Sequence, residues 1–367
     1  MLEPYEPMSL PLNCIDWTSH VNLIGKANAS LARYDGIMQG IINPNVLLSP
    51  LIIGEAVSSS RIEGTQASIE EVFEYEADPK EEGLFEKHDD IHEVLNYRKA
   101  LFEANSLLKE KPLHINMIRR LHYVLLTNVR GRDKEPGEIR RIQNYIAAPG
   151  SPIEKATFVP PLPSRVPDAL SEWERYLHSE EKDPLVQLAV LKGQFELIHP
   201  FRDGNGRIGR MLIPLILYSK GLISKPAFYL SSYLDKNRDS YYDALQGISK
   251  DEDWDSWISF FLTALVEQSQ DNCTKANNIL HLYDEMKQIV PEITHSQYSI
   301  SAIDSIFSTP IFNTSMFIQK SGIPKMSAVR VLNQMSSNDI ITTIRKGTGR
   351  RPTIYSFRRL MDITNDV

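Results

Sequence analysis

One stretch of the chain, Ile198-His199-Pro200-Phe201-Arg202-Asp203-Gly204-Asn205-Gly206-Arg207-Ile208-Gly209-Arg210, gathers residue types that together can handle phosphate. Gly204, Gly206 and Gly209 permit positive φ or close backbone approach, so successive N–H groups can converge on an anion. Arg207 and Arg210 are three apart and share a helical face, and their planar guanidinium groups suit phosphate oxygens. A diphosphate or triphosphate usually brings Mg²⁺, which takes one or two carboxylates plus phosphate oxygens. Asp203 is the carboxylate in place. His199 is the one side chain of the stretch able to accept a proton near neutral pH. Anion cradle, metal ligand and base describe a site for nucleotidyl or phosphoryl transfer.

Two elements must position that loop. Leu188, Leu191, Phe195 and Ile198 recur at spacings of three and four, which predicts a helix running into it. The apolar run Met211 to Tyr218 predicts a second helix leading out, whose unpaired N–H groups and positive dipole end face the loop. Pro214 inside that run should kink the helix or leave the Arg210 carbonyl without its usual partner.

His-x-Phe-x-Asp-Gly-Asn-Gly-Arg-x-x-Arg is the signature of the Fic (Fic/Doc) family, and the chain resembles it at every defined position from His199 to Arg210. Most Fic proteins move AMP from ATP to a target hydroxyl. The resemblance implies that His199 deprotonates the attacking hydroxyl and Asp203 holds Mg²⁺. It implies that Gly204, Asn205 and Gly206 line the anion hole and that Arg207 and Arg210 contact the β- and γ-phosphates. Ile208 and Gly209 complete the nucleotide-binding run.

Further upstream, Ser59 and Glu63 are four apart on one helix face, with Gly64 placed as a helix stop. Spacing alone reads as a polar helix with a solvated glutamate. The family resemblance reverses that reading, because many Fic proteins carry an inhibitory Ser/Thr-x-x-x-Glu-Gly/Asn helix that Ser59 to Gly64 fits. Glu63 would then pair with Arg210 and occupy the γ-phosphate position, restraining the enzyme from within its own chain. The same resemblance puts Tyr242, of the pair Tyr241-Tyr242, at the border of the adenine or ribose pocket; by composition the pair reads as half-buried packing.

Taken in order, residues 1–110 read as a helical region carrying the inhibitory motif and 111–270 as the catalytic domain. Residues 271–292 read as a helical connector, and 293–367 as a winged helix-turn-helix. Within the catalytic domain, partial alternation from Gly137 to Ile146, a turn at Ala148-Pro149-Gly150-Ser151-Pro152 and the run Ala156 to Pro161 predict a β-hairpin. By resemblance this is the Fic flap, which holds a target segment by strand-like pairing. His88, His92, His114 and His122 have no convincing ligand set and read as satisfied or exposed. The expected fold is mainly α: a helical Fic core with a small β-hairpin flap and a C-terminal winged helix.

In that tail, helices over Ser301–Phe307, Asn313–Lys320 and Lys325–Met335 precede β-rich runs at Ile340–Ile344 and Thr353–Phe357. The loop between the two runs is basic, and from Lys320 to Arg359 nine Lys/Arg stand against one acidic residue, Asp339. Such a surplus can contact DNA phosphates, and the alternative is a winged helix used for protein contact or dimerisation. A net charge of −7 over 367 residues argues against a wholly basic nucleic-acid binder. Cys14 and Cys273 match no metal-ligand spacing and suggest buried thiols in a reducing compartment. Without a membrane-length apolar run, the expectation is a cytoplasmic protein with no membrane partner.

The leading expectation is an adenylyltransferase acting from Mg-ATP on a Ser, Thr or Tyr hydroxyl of a protein target or of itself. Homodimer formation is a family habit. Two alternatives stand beside it: removal of AMP with the same residues, and a DNA-binding regulator whose Fic domain senses nucleotide.

Overall fold

The computed structural model describes residues 3–40, 44–79, 87–147, 151–348 and 351–365. The turn residues Ala148 to Gly150, and Gly349 and Arg350 of the basic loop, lie outside the described residues. The described helices, in chain order, are α1 (Trp17–Gln39), α2 (Pro44–Ile62), α3 (Ile69–Ala77), α4 (His88–Leu107), α5 (Ile115–Leu125), α6 (Val166–Leu177), α7 (Pro184–Ile198) and α8 (Asn205–Ser219). They continue with α9 (Ser231–Lys236), α10 (Arg238–Asp251), α11 (Trp254–Thr294), α12 (Ser299–Ser308), α13 (Thr314–Ser321), α14 (Lys325–Ser337) and α15 (Arg358–Thr364). Three strands, β1 (Ile311–Asn313), β2 (Thr342–Arg345) and β3 (Ile354–Ser356), form one antiparallel sheet in the order β1-β3-β2. The chain is mainly α-helical. It divides into two compact units, one of Met1–Asp35, Ser58–Gly64 and Asn96–Gln270, the other of Gly36–Val57, Thr65–Leu95 and Asp271–Val367.

The first unit is built around α7. Its start is fixed by Asp183, whose Oδ1 accepts from Leu185 N (2.9 Å) and Val186 N (3.1 Å), and by Pro184, whose missing N–H costs nothing at a first helical position. Leu185, Val186, Leu188, Ala189, Val190, Leu191 and Phe195 are all fully buried. A helix apolar on every side belongs in the middle of a core rather than on its surface. The indoles of Trp173 and Trp257 each donate to a carbonyl of α7, of Leu191 and Ala189 respectively, both at 2.8 Å. Gly193 makes room for that packing, since a Cβ there would come within 2.9 Å of the Trp257 Nε1. Helix α8 packs along α7 and continues to Ser219 with Pro214 inside it.

Between 137 and 161 the expected β-hairpin is corrected. The described residues there form a single antiparallel bridge, Ile146 with Phe158, closed by Ile146 N to Phe158 O (2.8 Å) and Thr157 N to Ile146 O (2.7 Å). The reason is chemical. Pro152, Pro160 and Pro161 supply no N–H to a ladder, and the Arg140 guanidinium takes up the Pro161 and Ile142 carbonyls instead.

In the second unit, Ser68 caps α3 in a reciprocal capping box with Glu71. Helix α3 packs on β1, the strand that sequence periodicity missed because three residues show no period. Phe312 of β1 stacks on Phe317 and Tyr355, while Phe307 meets Tyr283 and Phe357 edge-on. Cys273 is buried as expected, but Cys14 is exposed, and both are free thiols.

Candidate active site

Helix α7 ends at Ile198, and His199 takes the left-handed conformation at its C-cap (φ 48°, ψ 60°). That backbone costs a non-glycine residue roughly 1–2 kcal/mol, so the surrounding loop must hold it. Arg140, 1% exposed, does so from below. Its guanidinium donates to the carbonyls of His199 (2.8 Å), Ile198 (3.3 Å), Pro161 (2.6 Å) and Ile142 (3.3 Å), and its N–H to Pro200 O (2.9 Å). Burial lowers this guanidinium to about 10, and it stays charged at neutral pH.

The rest of the loop is equally pinned. Asn205 accepts Phe201 N on Oδ1 and donates Nδ2 to Phe201 O, both at 2.8 Å, and Asn144 Nδ2 shares that carbonyl. His122 stacks flat on Phe201, with ring centroids 3.8 Å apart. Its Nδ1 accepts Gly137 N at 2.7 Å, which leaves the proton on Nε2 to bond Asp203 O at 2.9 Å. His122 is therefore a satisfied, neutral histidine, and burial with Arg207 nearby pushes it down to about 4. Gly204 then turns the chain through φ 77° into the first residue of α8.

Above this frame lies a cavity of about 480 Å³ whose wall includes Glu63, Glu196, His199, Gly206, Arg210 and Tyr242. His199 is half-buried; its Nδ1 faces Glu196 O at 3.3 Å, which leaves Nε2 as the basic nitrogen. Burial holds the imidazole below the ordinary histidine range, against the opposing pull of Glu196. Arg210 is 2% exposed and is held at Nε and Nη2 by Ser59 of α2 and by Glu63 just beyond it. Its Nε donates to Ser59 Oγ (2.9 Å), and its Nη2 to Ser59 O (2.8 Å) and Glu63 Oε1 (2.6 Å).

Glu63 lies directly over the opening turn of α8. A Cβ on Gly206 would collide with Glu63 Oε1, so the carboxylate in this position relies on the glycine. Burial alone would raise Glu63, but Arg210, with Arg207 and His199 beyond, holds the carboxyl below its ordinary range. Gly64 ends the helix with φ 98°, and Arg130 and Arg238 donate to the Glu63 and Ile62 carbonyls.

The sequence-derived residues thus divide. His199, Gly206, Arg210, Glu63 and Tyr242 share the cavity, and Ser59 braces Arg210 from behind. Tyr242 is 44% exposed, and Tyr241, although buried, lines the same cavity. Arg207 is buried, with Nη2 3.5 Å from Asp203 Oδ1. Two expectations need correction. The Ile208 side chain lies in the core and its N–H is bonded to Gly204 O (3.0 Å), so it presents no group to a nucleotide. Gly209 faces Glu196 and Lys192 rather than the anion position. The Asn205 side chain is likewise spent inside the loop.

Asp203 keeps a third of its side chain exposed, with Oδ1 accepting Gly204 N at 2.6 Å. Among the described residues no group of three His, Cys, Asp or Glu could hold a metal by itself. A single open carboxylate fits Mg²⁺ that draws its other ligands from phosphate oxygens and water.

Sequence reading missed Lys192 and Glu196, a buried ion pair on α7. Their i, i+4 spacing looks like a surface pair. The available signal was that, Gln194 apart, the neighbouring positions on that helix are apolar or small.

Residues 21–106 match the Fic/DOC family N-terminal model and residues 112–217 the Fic/DOC family model, together more than half of the chain. A probable protein adenylyltransferase of Aquifex aeolicus is 30% identical over 156 residues, 42% of this chain and 46% of that protein. The protein adenylyltransferase Fic of Culex quinquefasciatus is 26% identical over 216 residues, 57% of this chain and 38% of that one. The chain spans less than half the length of these curated relatives. A solved Fic family protein from Desulfovibrio desulfuricans shares the fold with a TM-score of 0.58 at 20% identity, over 97% of this chain and 98% of that one. With the motif loop, the helix pair that carries it and both family models in agreement, the chain belongs to the Fic/DOC family.

Proposed function

We propose that the protein is an adenylyltransferase that moves AMP from ATP to a Ser, Thr or Tyr hydroxyl of a protein, restrained by its own Glu63. The observation that carries this is the 2.6 Å pair of Glu63 with Arg210, over Gly206 and in one cavity with His199. A helix N-terminus with a buried guanidinium is an anion site, and a carboxylate now fills it. In transfer, the hydroxyl oxygen bonds the α-phosphorus while the bond from that phosphorus to the β-phosphate bridging oxygen breaks. Pyrophosphate leaves, and the hydroxyl proton passes to His199 Nε2. Arg210, released from Glu63, neutralises the leaving charge, and Arg207 supports Asp203. Mg²⁺ held by Asp203 would supply charge neutralisation on the phosphates. Catalysis would rest on positioning and electrostatics.

The bridge at Ile146 and Phe158 borders the cavity and suits an extended target segment. Intact-mass analysis of acceptor proteins after incubation with ATP tests the reading. A gain of one AMP per acceptor supports it; a gain of one phosphate, or none with Glu63→Gly, contradicts it. Removal of AMP is a second reading, favoured by the Glu63 carboxylate sharing the cavity with His199, where it could orient water.

The C-terminal elements α12 to β3 we read as a winged helix. Its DNA reading is weakened by how its cations are used. Arg345 pairs with Asp78, Arg359 with Glu285, Lys320 with Thr309, and Arg330 donates to Thr294 O. Among the described residues no helix is long and apolar enough to cross a membrane.

A further inference from the structure

We infer that Glu196 accepts a hydrogen bond from a ribose hydroxyl of the bound nucleotide, making the site selective for ribonucleotides over deoxyribonucleotides. The inference rests on the nucleotide reading proposed above. The Glu196 side chain is 10% exposed, and its Oε1 is taken by the ammonium of Lys192, itself 1% exposed. No other hydrogen bond to the Glu196 carboxylate is made among the described residues, yet the residue lines the cavity. With one oxygen held by Lys192 and the residue lining the cavity, the carboxylate can accept but not donate, which suits an O–H or N–H of a ligand.

Place along the helices selects which donor. Glu196 is one turn before His199 on α7 and faces Gly209, one turn beyond Gly206 on α8. A Cβ on Gly209 would meet Glu196 Oε1, so the carboxylate sits against that glycine as Glu63 sits against Gly206. One helical turn is about 5 Å. That is roughly the separation of an α-phosphate from the sugar hydroxyls, and Leu245, Gln246 and Ser249 of α10 line the same cavity for a base. Lys192 also donates to Tyr241 OH (3.1 Å), whose ring lies 5.2 Å from that of Tyr242, so the ion pair ties α7 to the wall of the cavity.

The test measures binding and transfer of ATP, 2′-deoxy-ATP, 3′-deoxy-ATP and ITP in a Glu63→Gly background, with and without Glu196→Gln. A charge-assisted bond predicts that one deoxynucleotide binds roughly 10- to 100-fold more weakly than ATP. Glu196→Gln should shrink that ratio severalfold by weakening ATP and leaving the deoxy form unchanged. Because removing one partner strands a buried charge, a Lys192→Met, Glu196→Leu double variant, checked for folding by its melting curve, should abolish the ratio. Equal binding of all ribo and deoxy forms, or a ratio that survives both variants, overturns the inference. Selective loss of ITP binding would put the base amine on Glu196 and overturn it too. Binding with the predicted ratio but no transfer leaves this inference standing while the transfer reading falls; transfer with an unaltered ratio does the reverse.

Discussion

The loop from His199 to Arg210 and the module from Ser299 to Thr364 are both rich in cations, and they use them in opposite ways. Arg207 and Arg210 of the loop and Arg140 beneath it are buried, and the contacts described for them fix carbonyls, Asp203 or Glu63. In the module, several cations hold the unit itself together, as with Arg345 on Asp78 and Arg359 on Glu285. A count of charges therefore says little until it is known which charges are already neutralised at home. Buried and exposed arginines also differ in consequence. Those of the loop lie where a lost partner is expensive, as does Arg345 on the buried Asp78, whereas Arg359 and Glu285 lie where water compensates.

The comparison can be broken most sharply at His199. His199→Ala should lower transfer by about 10²- to 10⁴-fold, the usual weight of a general base, with little change in melting temperature. A comparable fall in stability would mean that His199 serves the loop instead. Next comes Glu63→Gly, which should raise transfer roughly tenfold or more by freeing Arg210. An unchanged rate would show that the pair restrains nothing.

Arg140→Met should strand the carbonyls of Ile198 and His199 and destabilise the first unit by about 2–4 kcal/mol. Denaturant unfolding reads this directly. A loss of activity at unchanged stability would instead give Arg140 a direct role at the cavity. His122 sharpens the same contrast through pH. Its folded value of about 4 lies below the ordinary 6.5, so the unfolded chain binds the extra proton first. Stability is then fully present above pH 6.5 and is lost as pH falls toward 4, by up to about 3 kcal/mol. His122→Asn should flatten that slope. For transfer itself, the lowered His199 places the acid limb of the kcat/KM profile below the ordinary histidine range.

The smallest expected effect is in the module. Exposed cations there include Lys325, Lys346, Arg351 and Arg358, and DNA binding through these four would show a salt slope of about −4. A slope near zero would mean that they do not meet phosphates.

Much of the site was legible because its causes are local. Glycines needing positive φ, a proline after the histidine and arginines at helical spacing all act within a few residues, and the loop from Ile198 to Asn205 follows from them. The helix boundaries of the C-terminal module were legible for the same reason, since Asn313 and Gly322 cap and stop α13 as their types predict. What the chain hid was set by partners distant in sequence. Arg140 read as part of a strand and serves as a buried brace. Ile208 and Gly209 sit inside the motif yet face the core and the Lys192–Glu196 pair, a distinction of helix face that spacing to an unknown neighbour does not carry. Alternation from Gly137 to Ile146 mimicked a strand where prolines and a guanidinium replace the ladder.

The most direct measurement is label transfer from α-³²P-ATP and, separately, γ-³²P-ATP, with the protein itself and a cell lysate as acceptors. It compares wild type, Glu63→Gly, and Glu63→Gly with His199→Ala. Label from the α position alone, strongest in Glu63→Gly and absent without His199, is the result predicted for a self-restrained adenylyltransferase. Label from the γ position, or transfer indifferent to His199, would contradict it.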